Sequence, residues 1–544
     1  MHAARRATIL LVAAVMMGGC GPTTTDTTGK APPPATVDLT LASLPEIRDA
    51  LADGSVTSEQ LVQESLYRIA AFDAEGPALN AVITINDRAL EEARALDAER
   101  SESGPRGPLH GIPVILKDNY DTADLPTTGG SAILAGSLPP DDAFVVRRLR
   151  DAGAVIIGKA NMSEFALSYG WLGYSSVVGQ TKNPHDLLRD PSGSSSGSAA
   201  AVAAGYATLA TGTDTAGSVR GPATVCGVVG IKPTMGLVSR DGIIPASLSL
   251  DVAGPIARSV TGAAHMLEVM AAADPSDPAT QTEERVDFDA DAALEAGDLA
   301  GARLGVVRAF FGANADVDEV FDAALESLAG NGAELVEVEL PEPLDNLWPV
   351  MGPVVDADFS VEFEAYLATL PEGAPQTVED LIAAAESPEI ADSETPLNPA
   401  RIEGFRDAAA SGGYDSEART QSTEELMPDV RAELLAVLDG DELDALVFPT
   451  MPCPASPRHD AEDPRYVCDI DDPYRPCYMA STSGFPEITV PAGLTSHRLP
   501  VGLSFFGRPF SEARLVGLAY HFEQVTKARR PPSTTPSLEP GGER

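Results

Sequence analysis

The chain has 544 residues, 44% of them hydrophobic, which excludes a disordered or fibrous protein and leaves material for a large core. Its formal net charge is −44 at pH 7, a surface that repels nucleic acid and anionic lipid head groups. Of its 37 basic residues only 6 are lysines, and four of those (Lys117, Lys159, Lys182 and Lys232) fall in one stretch, where burial could strip a proton that arginine would keep.

Taken in order, the chain starts with MHAARRATILLVAAVMMGGC. Arg5 and Arg6 precede an apolar run, Ile9 to Met17, that is too short for a permanent membrane helix. Residues 1–20 resemble a bacterial lipoprotein signal, with Cys20 as the lipidated first residue of the mature chain; an ordinary signal peptide cut nearby is the alternative. Either implies export, to a lipid-anchored place in the cell envelope or to the periplasm or medium. Residues 21–38 read as a flexible tether. LASLPEIRDALADGSVTSEQLVQESLYRIAAFD has helical periodicity, with a Ser or Thr cap before SEQL. IPVILK reads as a buried strand, DDAFVVRRLRDAG as a helix stopped by Gly153, and AVIIGK as the next strand. Alternation of this kind predicts a layered α/β fold. Residues 272–445 are acidic and alanine-rich and read as a helical flank or cap rather than an independent domain. LDALVFPTMP returns to a buried strand, and FPEITVPAG and LPVGLSFFG look like a closing pair. The expected body is therefore a single domain, 39–530, with a flexible tail at 531–544. Cys226 reads as a core residue, whereas two of Cys453, Cys468 and Cys477 could pair in an oxidising compartment. No CxxC or histidine cluster points to a metal, and no cofactor is expected.

The most informative stretch is GSSSGSAAAVAAG, Gly193 to Gly205. It is not a linker, because SAAAVAAG makes a good short helix that small residues allow to pack close against other backbone, with Gly205 as its stop. It is a poor phosphate loop, because no lysine follows the glycines. Gly193 to Gly197 fits the nucleophile-elbow pattern centred on Ser195, but NPHDLLRDPS before it is no hydrophobic strand, and His265, His459, His497 and His521 stand in bland contexts. Downstream, LATGTDTAGSVRGPA places Ser218 after an apolar run and a tight turn of small residues, where backbone N–H groups can face a ligand. Lys117 leaves the strand IPVILK. Two serines in small-residue turns and such a lysine suggest a relay: Ser218 attacks, Ser194 passes the proton and Lys117 accepts it. Asp118, next along a strand, would point the other way.

These stretches together resemble the amidase signature family of serine hydrolases. The resemblance rests on LHGIPVILKDNYDTADLPTTGGS, DDAFVVRRLRDAGAVIIGKANMSEFA, GQTKNPHDLLRDPSGSSSGSAAAVAAG, TGTDTAGSVRGPATVCGVVGIKPTMGLVSRDGIIP, LDVAGPIARSV and GFPEITVPAG with LPVGLSFFGRPFSEARLVGLA. It covers most of residues 40–270 and 444–520 and is closest to the bacterial peptide amidase branch. It implies a mixed, twisted sheet of about eleven strands sandwiched between helices. It implies Lys117, Ser194 and Ser218 as the Ser-Ser-Lys triad, with a cis peptide bond before Ser194. It also implies an oxyanion hole built from the backbone N–H groups of Thr215, Ala216, Gly217 and Ser218. The chain departs from the common pattern at Ser196 and at Ala216, where many members carry glycine. The function implied is hydrolysis of carboxamide C–N bonds through an acyl-enzyme, with small-molecule or peptide amides as substrates and deamidation of peptide C-termini as one form. The alternatives are an aliphatic or aryl acylamide hydrolase, part of an amidotransferase that acts on charged tRNA, and a non-catalytic binding lipoprotein on the same fold. Export and the charge of −44 argue against the tRNA reading. No nucleic acid is expected as partner, and contact with a membrane only through the lipid anchor.

Overall fold

The computed structural model describes residues 37–167, 171–371 and 373–538; the expected signal segment, Cys20 and nearly all of the expected tether lie outside them. The strands are β1 (Val82–Ile85), β2 (Pro113–Lys117), β3 (Val155–Ala160), β4 (Tyr174–Ser175), β5 (Gly179–Gln180), β6 (Leu209–Asp214), β7 (Val229–Lys232), β8 (Val252–Ala257), β9 (Arg303–Val307), β10 (Glu334–Val338), β11 (Ala445–Pro449), β12 (Glu487–Leu494) and β13 (Pro500–Phe506). An 11-stranded sheet runs in the order β1-β3-β2-β6-β8-β7-β12-β13-β11-β9-β10, while β4 and β5 form a small hairpin apart from it. The sheet is mixed as expected: β3, β2 and β6 are parallel, the strands from β8 to β13 pair antiparallel, and β11, β9 and β10 are parallel again.

Side-chain alternation along the strands divides the core. On β2, Val114 and Leu116 enter one apolar cluster, beneath the helices Leu44–Asp53, Phe144–Asp151 and Val260–Met270. Ile115 enters the other, beneath the helix Ser196–Ala203. Period two then carries Lys117 to the face of that alanine-rich helix. The expected close packing is present at Gly197: a Cβ there would lie 2.4 Å from the carbonyl oxygens of Ala81 and Asn161, so only glycine fits. The N-terminal helical stretch is two helices, Leu44–Asp53 and Ser58–Ile69. Capping boxes open them, Ser43 with Glu46 and Thr57 with Gln60.

Two expectations need correction. The block 272–445 is not only helical: β9 and β10 lie inside it and complete the edge of the main sheet beside β11. Their short apolar runs, ARLGVV and AELVEV, are hidden in an acidic, alanine-rich context. The tail is not loose from residue 531. Arg68 donates to the carbonyls of Thr535 (2.8 Å) and Pro536 (3.0 Å), and Thr535 is buried. Of the cysteines, Cys453 and Cys468 are bridged, while Cys226 and Cys477 are free and buried. Among the described residues no helix is long and apolar enough to cross a membrane.

Candidate active site

Lys117 ends β2 with no exposed surface. Its Nζ lies 2.8 Å from Ser194 Oγ and 2.7 Å from Thr213 Oγ1, on β6. The Thr213 hydroxyl also accepts from Asn119 Nδ2 at 3.1 Å. Burial pushes the lysine pKa down to about 7, against the charges of Asp251 and Asp214, which favour the ammonium. Asp118 turns away, as its place on the chain predicts. It faces Lys159 Nζ at 3.5 Å and accepts from the N–H groups of Thr128 and Gly130.

The Gly193–Ser194 bond is cis. The Ser194 carbonyl accepts from Ser163 N–H at 3.1 Å, which fixes the turn. Tyr474 was not singled out from the sequence, yet its hydroxyl lies 3.2 Å from both the N–H and the carbonyl of Gly193 and also meets the Ser192 hydroxyl. Ser195 is wholly buried, and its hydroxyl is held 3.3 Å from the Thr213 carbonyl. That is a structural bridge between turn and strand, not an exposed elbow. Among the described residues, no histidine hydrogen-bonds to Ser194, Ser195 or Ser218; His459 instead stacks on Trp171 with ring centroids 4.1 Å apart.

Ser218 follows β6 by a tight turn, is 8% exposed, and accepts at its carbonyl from Ser195 N–H at 3.2 Å. The two serine turns are thus joined backbone to backbone. Asp214 organises the second turn. Its carboxylate accepts from Gly217 N–H (2.7 Å), Val219 N–H (3.0 Å) and two nitrogens of Arg220 (2.8 and 2.9 Å). Arg220 is itself fully buried and reaches Glu487 at 2.6 Å. Burial alone would raise the Asp214 carboxyl, but the Arg220 guanidinium holds it well below the usual carboxylate range. Within the expected oxyanion set, the Gly217 N–H is engaged by the Asp214 carboxylate. Ala216 is compatible with the turn because the left-handed torsion falls on Gly217, at φ +103°. Thr215 is fixed through its hydroxyl to Asp251, which accepts from Ala246 N–H (2.8 Å) and Ser247 N–H (3.0 Å). None of Thr213, Asp214, Arg220, Asp251 or Tyr474 was assigned from the sequence. Asp214 and Arg220 were visible as the only charges within TGTDTAGSVRGPA.

The disulfide-closed loop 453–468 buttresses the approach to Ser194. Asp463 pairs with buried Arg189 at 2.7 Å, and the Ser456 hydroxyl donates to Asp190 at 3.0 Å. Among the described residues, no group of three His, Cys, Asp or Glu side chains is placed to hold a metal ion.

The family model described as Amidase matches residues 60–516. The chain belongs to the amidase family. It is an enzyme that acts on amide C–N bonds. Native peptide amidase from Stenotrophomonas maltophilia shares its fold with a TM-score of 0.81 and 40% identity, over 91% of this chain and 98% of that one. An amidase family protein from Bacillus anthracis matches with a TM-score of 0.79 at 32% identity, over 91% and 93% of the two chains. By sequence, a glutamyl-tRNA(Gln) amidotransferase subunit from Halorhodospira halophila is 39% identical over 88% of this chain and 96% of its own. The structure of a glutamyl-tRNA(Gln) amidotransferase subunit from Thermotoga maritima superposes with a TM-score of 0.68 at 30% identity, over 90% and 95%.

Proposed function

We propose that this amidase is a hydrolase of primary carboxamides, with peptide C-terminal amides as its substrate class, working through Lys117, Ser194 and Ser218. The observation that carries the reading is the contact of 2.8 Å between Ser194 Oγ and a buried lysine whose pKa is near 7. A neutral amine is a base, and a buried neutral amine beside a hydroxyl needs no histidine. In the forward step Ser218 Oγ bonds to the amide carbon, its proton passes to Ser194, and the proton of Ser194 passes to Lys117. The carbonyl oxygen becomes an oxyanion facing the backbone N–H groups of the 215–218 turn. The C–N bond then breaks, and the nitrogen takes back a proton through the same path and leaves as ammonia. Water repeats the sequence on the acyl-serine and releases the acid.

The peptide amidase likeness supports the substrate class. Ala216, Leu167 and Tyr474 pack against an apolar cluster that includes Leu250, Val350, Met351 and Tyr478, which suits an apolar residue next to the amide. Tests should compare ammonia release from matched peptide amides of differing charge, from simple acylamides and from the corresponding internal peptide bonds. The acidic surface predicts preference for neutral or cationic peptides, weakening in salt. Equal cleavage of internal bonds would overturn the reading.

A second reading, part of a tRNA-dependent amidotransferase, is favoured by the 39% identity to the Halorhodospira halophila protein. Against it stand the charge of −44, which opposes contact with tRNA, and the Cys453–Cys468 bridge, which suits an oxidising compartment. We place the enzyme outside the cytoplasm, anchored at Cys20. Cys20→Ser should move it from the membrane fraction to the soluble or uncleaved one; an unlipidated wild-type N-terminus beginning elsewhere would defeat the anchor.

A further inference from the structure

Tyr474 touches both serine turns at once. Its hydroxyl lies 3.2 Å from the N–H and 3.2 Å from the carbonyl of Gly193, the residue before Ser194, and it meets the Ser192 hydroxyl. A phenol hydroxyl has one hydrogen and two lone pairs. Here all three are used: the lone pairs take the Gly193 N–H and the Ser192 hydroxyl, and the hydrogen goes to the Gly193 carbonyl. The ring continues to the other turn. A Cβ on Gly217 would lie 2.9 Å from ring carbon Cδ1, and one on Gly221 would lie 3.0 Å from Cε1. Gly217 directly precedes Ser218, and Gly221 opens the helix Arg220–Val225 that follows it.

Tyr474 is itself held in place. Its N–H donates to Asp472 Oδ1 at 3.0 Å, and the Tyr478 hydroxyl donates to the other oxygen of that carboxylate at 2.8 Å. Its carbonyl accepts from Cys477 N–H at 2.9 Å, and the Cys477 carbonyl accepts from Arg220 at 2.8 Å, which closes back on the helix after Ser218. The backbone around Ser194 is fixed downstream, where its carbonyl meets Ser163 N–H and Ser195 N–H meets the Ser218 carbonyl. Upstream, the Tyr474 hydroxyl holds both peptide groups of Gly193. Burial pushes the Tyr474 phenol well above its usual range, so it keeps its proton across neutral pH and does not serve as an acid or a base.

We propose that Tyr474 is a positioning residue that sets the separation of Ser194 and Ser218, its hydroxyl holding one turn and its ring the other. The inference rests on the relay proposed above, in which Ser194 takes the proton of Ser218. A proton passes between two hydroxyls only at hydrogen-bond separation, about 2.5–3.0 Å. A misplacement of about 1 Å can cost about 100-fold in rate. Gly217 and Gly221 leave the room that the ring occupies, so the two turns and the tyrosine form one packed unit.

The test uses the whole protein, with ammonia release from a peptide amide as one rate and fluorophosphonate labelling of Ser218 as another. Tyr474→Phe keeps the ring and removes the hydroxyl. Both kcat and kcat/KM should fall together by about tenfold or more with KM unchanged, and the labelling rate should fall by a similar factor. Gly221→Ala keeps the hydroxyl but presses a methyl group on the ring and on Ser192, and should show the same split. In a Ser194→Ala background, Tyr474→Phe should add no further loss, because the group it places is gone. A lower unfolding temperature with unchanged rates, a raised KM with kcat intact, or an equal fractional loss in both backgrounds overturns the proposal. Full activity in Ser194→Ala defeats the relay and this inference with it, whereas a slow Ser194→Ala beside unchanged rates in Tyr474→Phe defeats this inference alone.

Discussion

Thr213→Val tests how Lys117 is aimed. Valine keeps the shape of threonine but removes the hydroxyl 2.7 Å from Lys117 Nζ, leaving only the Thr213 carbonyl at 3.5 Å on that side. A neutral amine has two hydrogens to place and one lone pair to offer. Thr213 accepts one hydrogen, which turns the lone pair toward Ser194. Losing a neutral hydrogen bond costs about 1 kcal/mol, and losing one made to a cation about 2 kcal/mol. The substitution should therefore lower kcat/KM on the alkaline plateau by roughly tenfold, through misdirection of the lone pair. The ammonium loses about 1 kcal/mol more than the amine does, so the lysine pKa falls further, by somewhat less than one unit from its value of about 7. Because Lys117 works in the proposed relay only when neutral, the acid limb of the profile should move to lower pH while the plateau drops. The assay is ammonia release from a peptide amide between pH 5 and 9. An unchanged plateau, or a limb that moves upward, would refute the aiming role of Thr213.

Ser218→Ala should abolish turnover while Ser195→Ala keeps most of it, and a fluorophosphonate should label Ser218; a label mapped to Ser195 would reverse the assignment. Lys117→Ala should lower the rate by about 10³-fold or more and remove the acid limb, and full activity in that variant would exclude the lysine from the chemistry. Arg220→Met strands the Asp214 and Glu487 carboxylates in the core, so denaturant unfolding should show a loss of about 3–5 kcal/mol, and a neutral effect would mean that Asp214 is held by backbone N–H groups alone. Replacing Cys453 and Cys468 together by serine opens a 15-residue span and should cost about 3 kcal/mol; no loss under oxidising conditions would show that the Arg189–Asp463 contact suffices.

The strands nearest the site could be read from the sequence because their signal is local. IPVILK, AVIIGK and LPVGLSFFG are short apolar runs, and each is a buried strand. Lys117, Ser194 and Ser218 could be named because unusual local compositions, glycine with serine and a lysine leaving a strand, mark them. The partners that aim them could not. Thr213 and Asp214 lie on a strand of ordinary composition, and Tyr474 sits more than 250 residues from the turn it holds. Their importance comes from pairings across the sheet, which no periodicity encodes. β9 and β10 are hard to read for the opposite reason: their pattern is local, but Glu334 and Glu337 interrupt β10 and the surrounding acidic helices outweigh five-residue strands.

The charge of the middle block misleads in the same way. From composition, residues 272–445 offer an acidic surface to the substrate. Where the block meets the inner loops, however, its acids turn inward. Asp358 accepts from the Ser247 hydroxyl at 2.7 Å and from Arg419, and Glu362 accepts from Leu248 N–H and from the Tyr414 hydroxyl. Both therefore hold the loop 246–251 rather than face solvent. That loop carries Asp251, and Asp251 holds Thr215, the first residue of the turn before Ser218. A continuous hydrogen-bonded path thus leads from the middle block to the turn before Ser218. The apolar residues Val350 and Met351, on the same block, belong to the cluster against which Ala216 packs. On the proposed function, substrate choice by this block rests on apolar shape near the reacting carbon, and the acidic exterior acts only at a distance, where salt screens it.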